Sequence, residues 1–307
     1  MKIAVLFPGQ GSQYPGMADP WNDHPAGKET LAGASDVLGY DVVEMANDET
    51  RLALTDVVQP VMFACDLAAF RVLEAEGATF AMTAGHSLGE FVALVAAGVL
   101  PTEQALTAVV ERGRAMQDAA DASPGAMTAL VGVSPEEAAE IVATAGRGDV
   151  LTVANENSPR QTVISGSIPA IERAEELARS RKVRAVRLKV AGAFHSKLME
   201  PALPRVRGAI AKLDFSEPRF PVVPNASGRP TSQPSALRDL LSRHLVSPVR
   251  WERSIRAMAE AGVDLFVEAG PGDVLSKLVK RSVPGSRAAP VGSPSEARAL
   301  LDDEGVR

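Results

Sequence analysis

The chain is 307 residues long, with a formal net charge of −6, 46% hydrophobic residues, 23% charged residues and a single cysteine. That length holds one large or two modest domains with an ample core, and the acidic balance offers no global basic field to nucleic acid or an anionic membrane. No stretch approaches the ~20 apolar residues of a membrane helix, nothing near Met1 has a secretory pattern, and one cysteine cannot close an internal disulfide, so a cytoplasmic location is expected.

In chain order, the first element is a short apolar run, Ile3 to Phe7, that breaks into the loop FPGQGSQ. A strand followed by glycines is also how many nucleotide-binding folds begin. Here Tyr14 stands where a dinucleotide fingerprint needs its third glycine, and no G-K-[ST] follows. Apolar periodicity then predicts helices over about Gln59–Glu76 and Thr102–Ala120, with a strand at Phe80–Ala84 between them. Cys65 shares an apolar stripe with Val61, Ala68 and Val72 and is expected in the core.

From Ala126 to Val190 the order changes to strand (MTALVGV), helix, strand (LTVAN), strand (QTVISG), helix, strand (VRAVRLKV). The order βαββαβ is that of the ferredoxin-like split unit. Its first helix opens Ser134-Pro135-Glu136-Glu137, an N-cap, a proline in the first turn and acid beside it. The expected architecture is therefore α/β, with residues 126–191 inserted as a ferredoxin-like subdomain into a larger body made of 1–125 and 192–307. A cleft between two such bodies is a usual ligand site. Further strands are expected at Phe220–Val223 and Leu265–Glu268, and after about Pro284 a surface tail with one short helix near Ser295–Leu301.

The sharpest local signal is Gly85-His86-Ser87-Leu88-Gly89, a G-x-S-x-G between an expected strand and an expected helix. Small neighbours let the backbone take the tight strand-to-helix turn that exposes the serine, so Ser87 is the expected nucleophile. A serine needs a base, and the chain has four histidines. His24 lies in a polar, proline-broken loop and is expected to be solvated. His86 adjoins the serine but should point away from it, as a structural hydrogen bonder. His244 sits in a helical stretch and would suit a hydrolase order with a late histidine. His195, in GAFHS, follows the last strand of the inserted unit and returns to the cleft, which makes it the preferred base.

On the helix PTEQALTAVVERGRAMQDAA, Ala105, Val109, Arg112 and Met116 share one face, while Arg114 lies opposite. A guanidinium on a core-facing stripe needs an anion. An internal salt bridge, for instance to Glu90, and a clamp for a substrate carboxylate are both open at this point.

FPGQGSQ, GHSLGE, the arginine of ERGRAMQ, GAFHS and the late VEAGPGDVLSKL occur in an order and spacing that resembles the malonyl-CoA:acyl carrier protein transacylases, a pattern shared with acyltransferase domains of polyketide synthases. The resemblance runs from Leu6 to about Lys280. It implies an α/β-hydrolase-like body carrying the ferredoxin-like insertion, Ser87 as nucleophile, His195 as general base and Arg112 as partner of the malonyl carboxylate. It also implies an oxyanion hole from the backbone N–H groups of Gln10 and Leu88, and an acyl pocket with Gln59 and Phe194, the bulk of Phe194 favouring an unbranched malonyl unit. In that family a backbone carbonyl, not an acid, orients the histidine; the matching stretch Ser247-Pro248-Val249-Arg250-Trp251 makes the Arg250 carbonyl the expected one.

The implied reaction moves a malonyl group from coenzyme A to the phosphopantetheine thiol of an acyl carrier protein, for fatty-acid or polyketide synthesis, by a ping-pong route. It needs no metal and no bound cofactor, since malonyl-CoA is a substrate and the carrier brings the phosphopantetheine. An acidic carrier would meet a local basic patch, for which Arg181-Lys182-Val183-Arg184 and Lys277, Lys280 and Arg281 are the expected surfaces, although such runs are also ordinary solvated faces. The rival functions are an acyl hydrolase or thioesterase using the same serine and histidine, the malonyl-transferring component of a malonate decarboxylase, and a nucleotide-binding module built on the first loop.

Overall fold

The run IAVLF is apolar at every position and is buried along its whole length, as a strand covered on both faces must be. It is the first of eight strands in the computed structural model, which describes residues 1–303: β1 (Ile3–Phe7), β2 (Met82–Gly85), β3 (Gly125–Val131), β4 (Leu151–Ser158), β5 (Gln161–Ser167), β6 (Arg184–Arg187), β7 (Leu265–Ala269) and β8 (Arg287–Val291). The last four residues of the 192–307 segment lie outside the described residues.

The strands form two sheets in a mixed α/β chain. One is parallel, in the order β2-β1-β7-β8. The other is antiparallel, in the order β4-β5-β3-β6, with helices Pro135–Gly146 and Ile168–Ser180 between its strands. The N-cap expected at Ser134 is formed, and the structure adds a capping box: the Ser134 hydroxyl accepts from Glu137 N–H while the Glu137 carboxylate accepts from Ser134 N–H. Val249, outside both sheets, bridges to β4: its N–H donates to Ala154 O at 2.8 Å and its carbonyl accepts from Glu156 N–H at 2.8 Å. That stitch ties the edge strand β4 to the segment that precedes helix Trp251–Glu260.

Three expectations need correction. The chain after Pro284 is not a surface tail. β8 pairs in parallel with β7, and helix Pro294–Asp303 buries Ala297 and Leu301 in the core. Pro290 is tolerated because β8 is the outer strand, where a missing N–H breaks no second ladder. Phe220–Val223 is not a strand but an isolated bridge of Val222 to Thr83, since Pro221 and Pro224 interrupt the ladder on either side. The helix expected from Gln59 begins at Thr55 and carries Pro60 within it; the Cys65 thiol on this helix is buried, as expected.

Among the described residues no helix is long and apolar enough to cross a membrane.

Candidate active site

β2 ends at Gly85, and helix Gly89–Ala96 starts four residues later. The turn between them is sharp enough to force Ser87 to a φ of 51°, a left-handed backbone costly for a residue with a side chain. The glycines explain themselves sterically. A Cβ on Gly85 would fall on the carbonyl of Gly89, and one on Gly89 would strike the carbonyls of Phe7 and Pro8 at the end of β1. Gly98, at φ 76°, closes the chain leaving the helix.

Ser87 Oγ lies 2.8 Å from His195 Nε2. The other ring nitrogen, Nδ1, faces only carbonyl oxygens, that of Ser247 at 3.1 Å and that of His244 at 3.2 Å. Carbonyls can only accept, so Nδ1 carries the proton and Nε2 is left to accept from the serine hydroxyl. Arg250 is not the orienting residue. Its carbonyl accepts from Ser254 N–H inside the first turn of helix Trp251–Glu260 and is spent there. The two carbonyls that do the work flank the short turn His244–Val246, three and six residues earlier.

Arg112 is buried on the face shared with Ala105, Val109 and Met116, while Arg114 is exposed. Its fork is divided: one NH2 group donates to Gln59 Oε1 at 2.5 Å, the other to Ser87 Oγ at 3.1 Å. Its guanidinium carbon stands 6.0 Å from the Phe91 ring centre. Among the described residues no carboxylate comes within ion-pair distance of it. Glu90 is spent elsewhere, accepting from Asn225 N–H at 2.9 Å and lying 3.9 Å from His244 Nε2. The structure thus disfavours the internal salt bridge and leaves a buried cation facing a cavity.

The cavity has a volume of about 70 Å³ and is lined by Gln10, Gln59, Ser87, Leu88, Arg112, Phe194 and His195 among others. Every site residue named from the sequence except Arg250 therefore reaches one small space. Neither Gln10 N–H nor Leu88 N–H has an acceptor among the described residues, and a Cβ on Gly9 would collide with the His86 carbonyl, so only glycine lets the first loop lie this close to the elbow. A larger hollow of about 630 Å³, lined by Thr30, Leu67, Arg71 and Leu106, lies apart and holds none of these groups. Chemistry, not volume, marks the site.

Electrostatics follow from burial. The His195 imidazole is pushed down to about 3, first by loss of water and then by the positive charge of Arg112, so it is neutral at any physiological pH. Burial lowers Arg112 to about 10, against the opposing pull of Glu90, and it stays protonated. Glu90 is raised to about 7 by burial, offset in part by Asn225 N–H and Arg112.

The remaining histidines divide as follows. His86 points away from the serine and binds Asn157 Oδ1 at 2.9 Å, with Asn155 Nδ2 at 3.3 Å. The His244 side chain is buried with its ring centre 5.2 Å from that of His195. His24 is not solvated: its Nδ1 accepts from Ala26 N–H at 3.2 Å, capping helix Pro25–Leu38, and its Nε2 lies 3.3 Å from Glu76. The sequence placed Ser247 in the orienting stretch and weighed His244 as a base but did not anticipate their carbonyl contacts to His195, and it missed Asn225, which accepts from Ser87 N–H at 2.7 Å and which no periodicity or motif distinguishes.

Comparison with known proteins gives one family and close relatives. Residues 5–296 match the acyl transferase domain family. The chain is 39% identical over 306 residues to the malonyl CoA-acyl carrier protein transacylase of Escherichia coli K12, covering 98% of this chain and 99% of that one. It is similar to the crystal structure of an acyl carrier protein S-malonyltransferase from Vibrio cholerae, with a TM-score of 0.93, 39% identity and coverage of 98% and 100%. It is also similar, with a TM-score of 0.94, 36% identity and coverage of 99% and 100%, to a malonyl-transacylase solved in complex with a type II polyketide synthase acyl-carrier protein.

Proposed function

On the premise that this chain belongs to the acyl transferase domain family, alongside the malonyl-CoA:acyl carrier protein transacylases, we propose that Ser87, His195 and Arg112 carry out its malonyl transfer. The enzyme moves a malonyl group from coenzyme A to an acyl carrier protein, in fatty-acid or polyketide synthesis. The observation that carries the residue assignment is the sharing of Ser87 Oγ between a neutral imidazole and a buried guanidinium that lacks a carboxylate.

The malonyl carboxylate takes the Arg112 fork, supported by Gln59. Its arrival cancels the charge that helps hold His195 low, so the base strengthens when the correct substrate is bound. Ser87 Oγ attacks the thioester carbonyl as its proton passes to Nε2, and the new C–O bond converts the carbonyl oxygen to an oxyanion. The free N–H groups of Gln10 and Leu88 receive that charge. The C–S bond breaks, the CoA sulfur takes the proton from His195, and malonyl-serine remains. The phosphopantetheine thiol then gives its proton to His195 and attacks the ester. The C–O bond breaks, and Ser87 recovers its proton. Phe194 bounds the acyl pocket and leaves little room for an α-branch. The imidazolium formed in each half is held by the Ser247 and His244 carbonyls, so no acid completes a triad.

Within the two-sheet α/β chain, we assign 126–191 as the ferredoxin-like insertion, because the antiparallel sheet, apart from Gly125 at its start, and its two helices arise from it. Residues 1–125 and 192–303 form the α/β-hydrolase-like body that carries the elbow. The carrier is assigned to the exposed basic residues Lys280 and Arg281 of helix Val274–Ser282, which have no ion-pair partner among the described residues, whereas Lys277 is paired with Asp273 at 2.7 Å and Arg181 lies 3.5 Å from Glu140.

Mass spectrometry of the intact protein mixed with malonyl-CoA tests the assignment. A malonyl adduct on Ser87 that persists in water and is discharged by a holo-carrier protein is expected. Rapid loss of the adduct to water would instead identify an acyl hydrolase.

A further inference from the structure

A residue forced to positive φ at a reacting atom holds its place only if its surroundings over-determine it. At Ser87 that task falls to one side chain. Asn225 is fully buried, and all four of its polar groups are engaged. Its Oδ1 accepts from Ser87 N–H at 2.7 Å, and its Nδ2 donates to Gly85 O at 2.6 Å, so the amide spans the elbow on both sides of His86. The amide orientation is fixed by these partners, an N–H facing oxygen and a carbonyl facing nitrogen. Its own N–H donates to Glu90 in the first turn of helix Gly89–Ala96. Its carbonyl accepts from Arg250 N–H at 3.1 Å, one residue after the Val249 stitch and three after Ser247, whose carbonyl holds His195.

We propose that Asn225 is the positioning residue for the acyl transfer, locking the nucleophile's backbone to the segment that orients the base. The inference rests on Ser87 and His195 acting as assigned above. Asn225 touches neither substrate nor a reacting atom. It sets the register between two catalytic groups separated by 108 residues in sequence. Val222 and Val223, bridged to Thr83 and to Thr231, anchor the approach to it, and Pro224 stiffens the last step.

The test compares Asn225→Ala and Asn225→Asp with the wild-type protein in rapid-mixing assays of malonyl-CoA loading. Asn225→Ala leaves the Ser87 N–H and the Gly85 carbonyl unpartnered, and kcat is expected to fall by about 10²-fold, the scale of an ångström-sized misplacement. KM for malonyl-CoA should change little, and the burst should still reach one malonyl group per chain. A protein that had merely lost folded molecules would show a smaller burst at an unchanged rate, which would overturn the proposal.

Asn225→Asp supplies a readout that packing alone would not move. As a neutral acid its carboxyl can accept from Ser87 N–H and donate to Gly85 O, reproducing both bonds; as a carboxylate it opposes oxygen to oxygen. Its activity relative to wild type should therefore rise as pH falls from 8 to 5. Glu90, His86, His195, His244, Arg112 and Arg250 surround the same turn. Their titration is common to Asn225→Ala, which should show a flat ratio and sets the baseline. A flat ratio for Asn225→Asp overturns the proposal even if Asn225→Ala fails to fold. Loss of malonyl-serine in the wild-type protein would instead overturn the assignment of Ser87, so the two failures are distinguishable.

Discussion

Replacing Arg112 by alanine separates recognition of the acyl group from transfer of it. On the proposed assignment, the malonyl carboxylate leaves water in the wild-type cavity and meets a guanidinium that is itself buried and has no carboxylate partner among the described residues. Removing one partner of such a pair leaves the other buried without compensation, at about 3–5 kcal/mol. At 1.36 kcal/mol per decade, this is a loss of about 150- to 5,000-fold in kcat/KM for malonyl-CoA. Acetyl-CoA has no carboxylate to strand, and the variant no longer buries an unpaired cation beside an uncharged acyl group. The 3.1 Å contact of Arg112 with Ser87 Oγ is lost for both substrates and cancels in their ratio. Acetyl loading should be retained or raised, so the malonyl-to-acetyl ratio should collapse by about two to four orders of magnitude. The assay is single-turnover loading of Ser87 from each thioester, followed by intact mass. Arg112→Lys should fall between, because a point charge cannot grip both carboxylate oxygens. An equal fall for both thioesters would refute the carboxylate clamp.

The depressed imidazole of His195 predicts a kcat/KM profile with no acid limb near pH 6.5; the free enzyme should stay active to about pH 5, and a limb near the ordinary histidine value would remove the physical basis for the assignment. Glu90 has a folded value of about 7 against an ordinary 4.5. A raised carboxyl contributes stability that is complete below its unfolded value and is lost as pH rises through the folded one. Wild type should therefore lose up to about 3 kcal/mol relative to Glu90→Gln between pH 4.5 and 8, read by urea unfolding of both proteins in matched buffers. The difference isolates Glu90, because the buried His244 is common to both. Leu301→Ala should destabilise the protein by about 2–5 kcal/mol, since Leu301 is a buried core side chain; a change under 0.5 kcal/mol would mean that the final helix is only a surface appendage.

What the sequence made legible was what is local. The elbow could be read because the strand, the two glycines, the serine and the helix are contiguous and sterically interlocked. Arg112 could be read because helical spacing reports which face a side chain occupies, although not which anion waits there. The carbonyls behind His195 were harder. Any residue has a carbonyl, and only the course of the chain through the His244–Val246 turn decides which oxygens face the ring, so Arg250 was a near miss of three residues. Asn225 was invisible for a related reason: its partners on the elbow and the helix after it lie 135 to 140 residues away, beyond any window. β8 was hidden by its own proline, a residue excluded from central strands and harmless on an outer one.

The distance along the chain between the serine and its support has a consequence for synthesis. A nascent chain emerging N-terminus first displays GHSLG early, but the histidine appears 108 residues later, and its orienting carbonyls some 50 residues after that. The strand that flanks β1 on its far side, β7, and β8 beyond it come last of the described strands. Domains fold as their residues become available, so an incomplete polypeptide holds a serine with neither a base nor a fixed elbow. On the proposed roles, the Ser87 hydroxyl is expected to stay unreactive toward malonyl thioesters until residues beyond Ser247 have left the ribosome and folded.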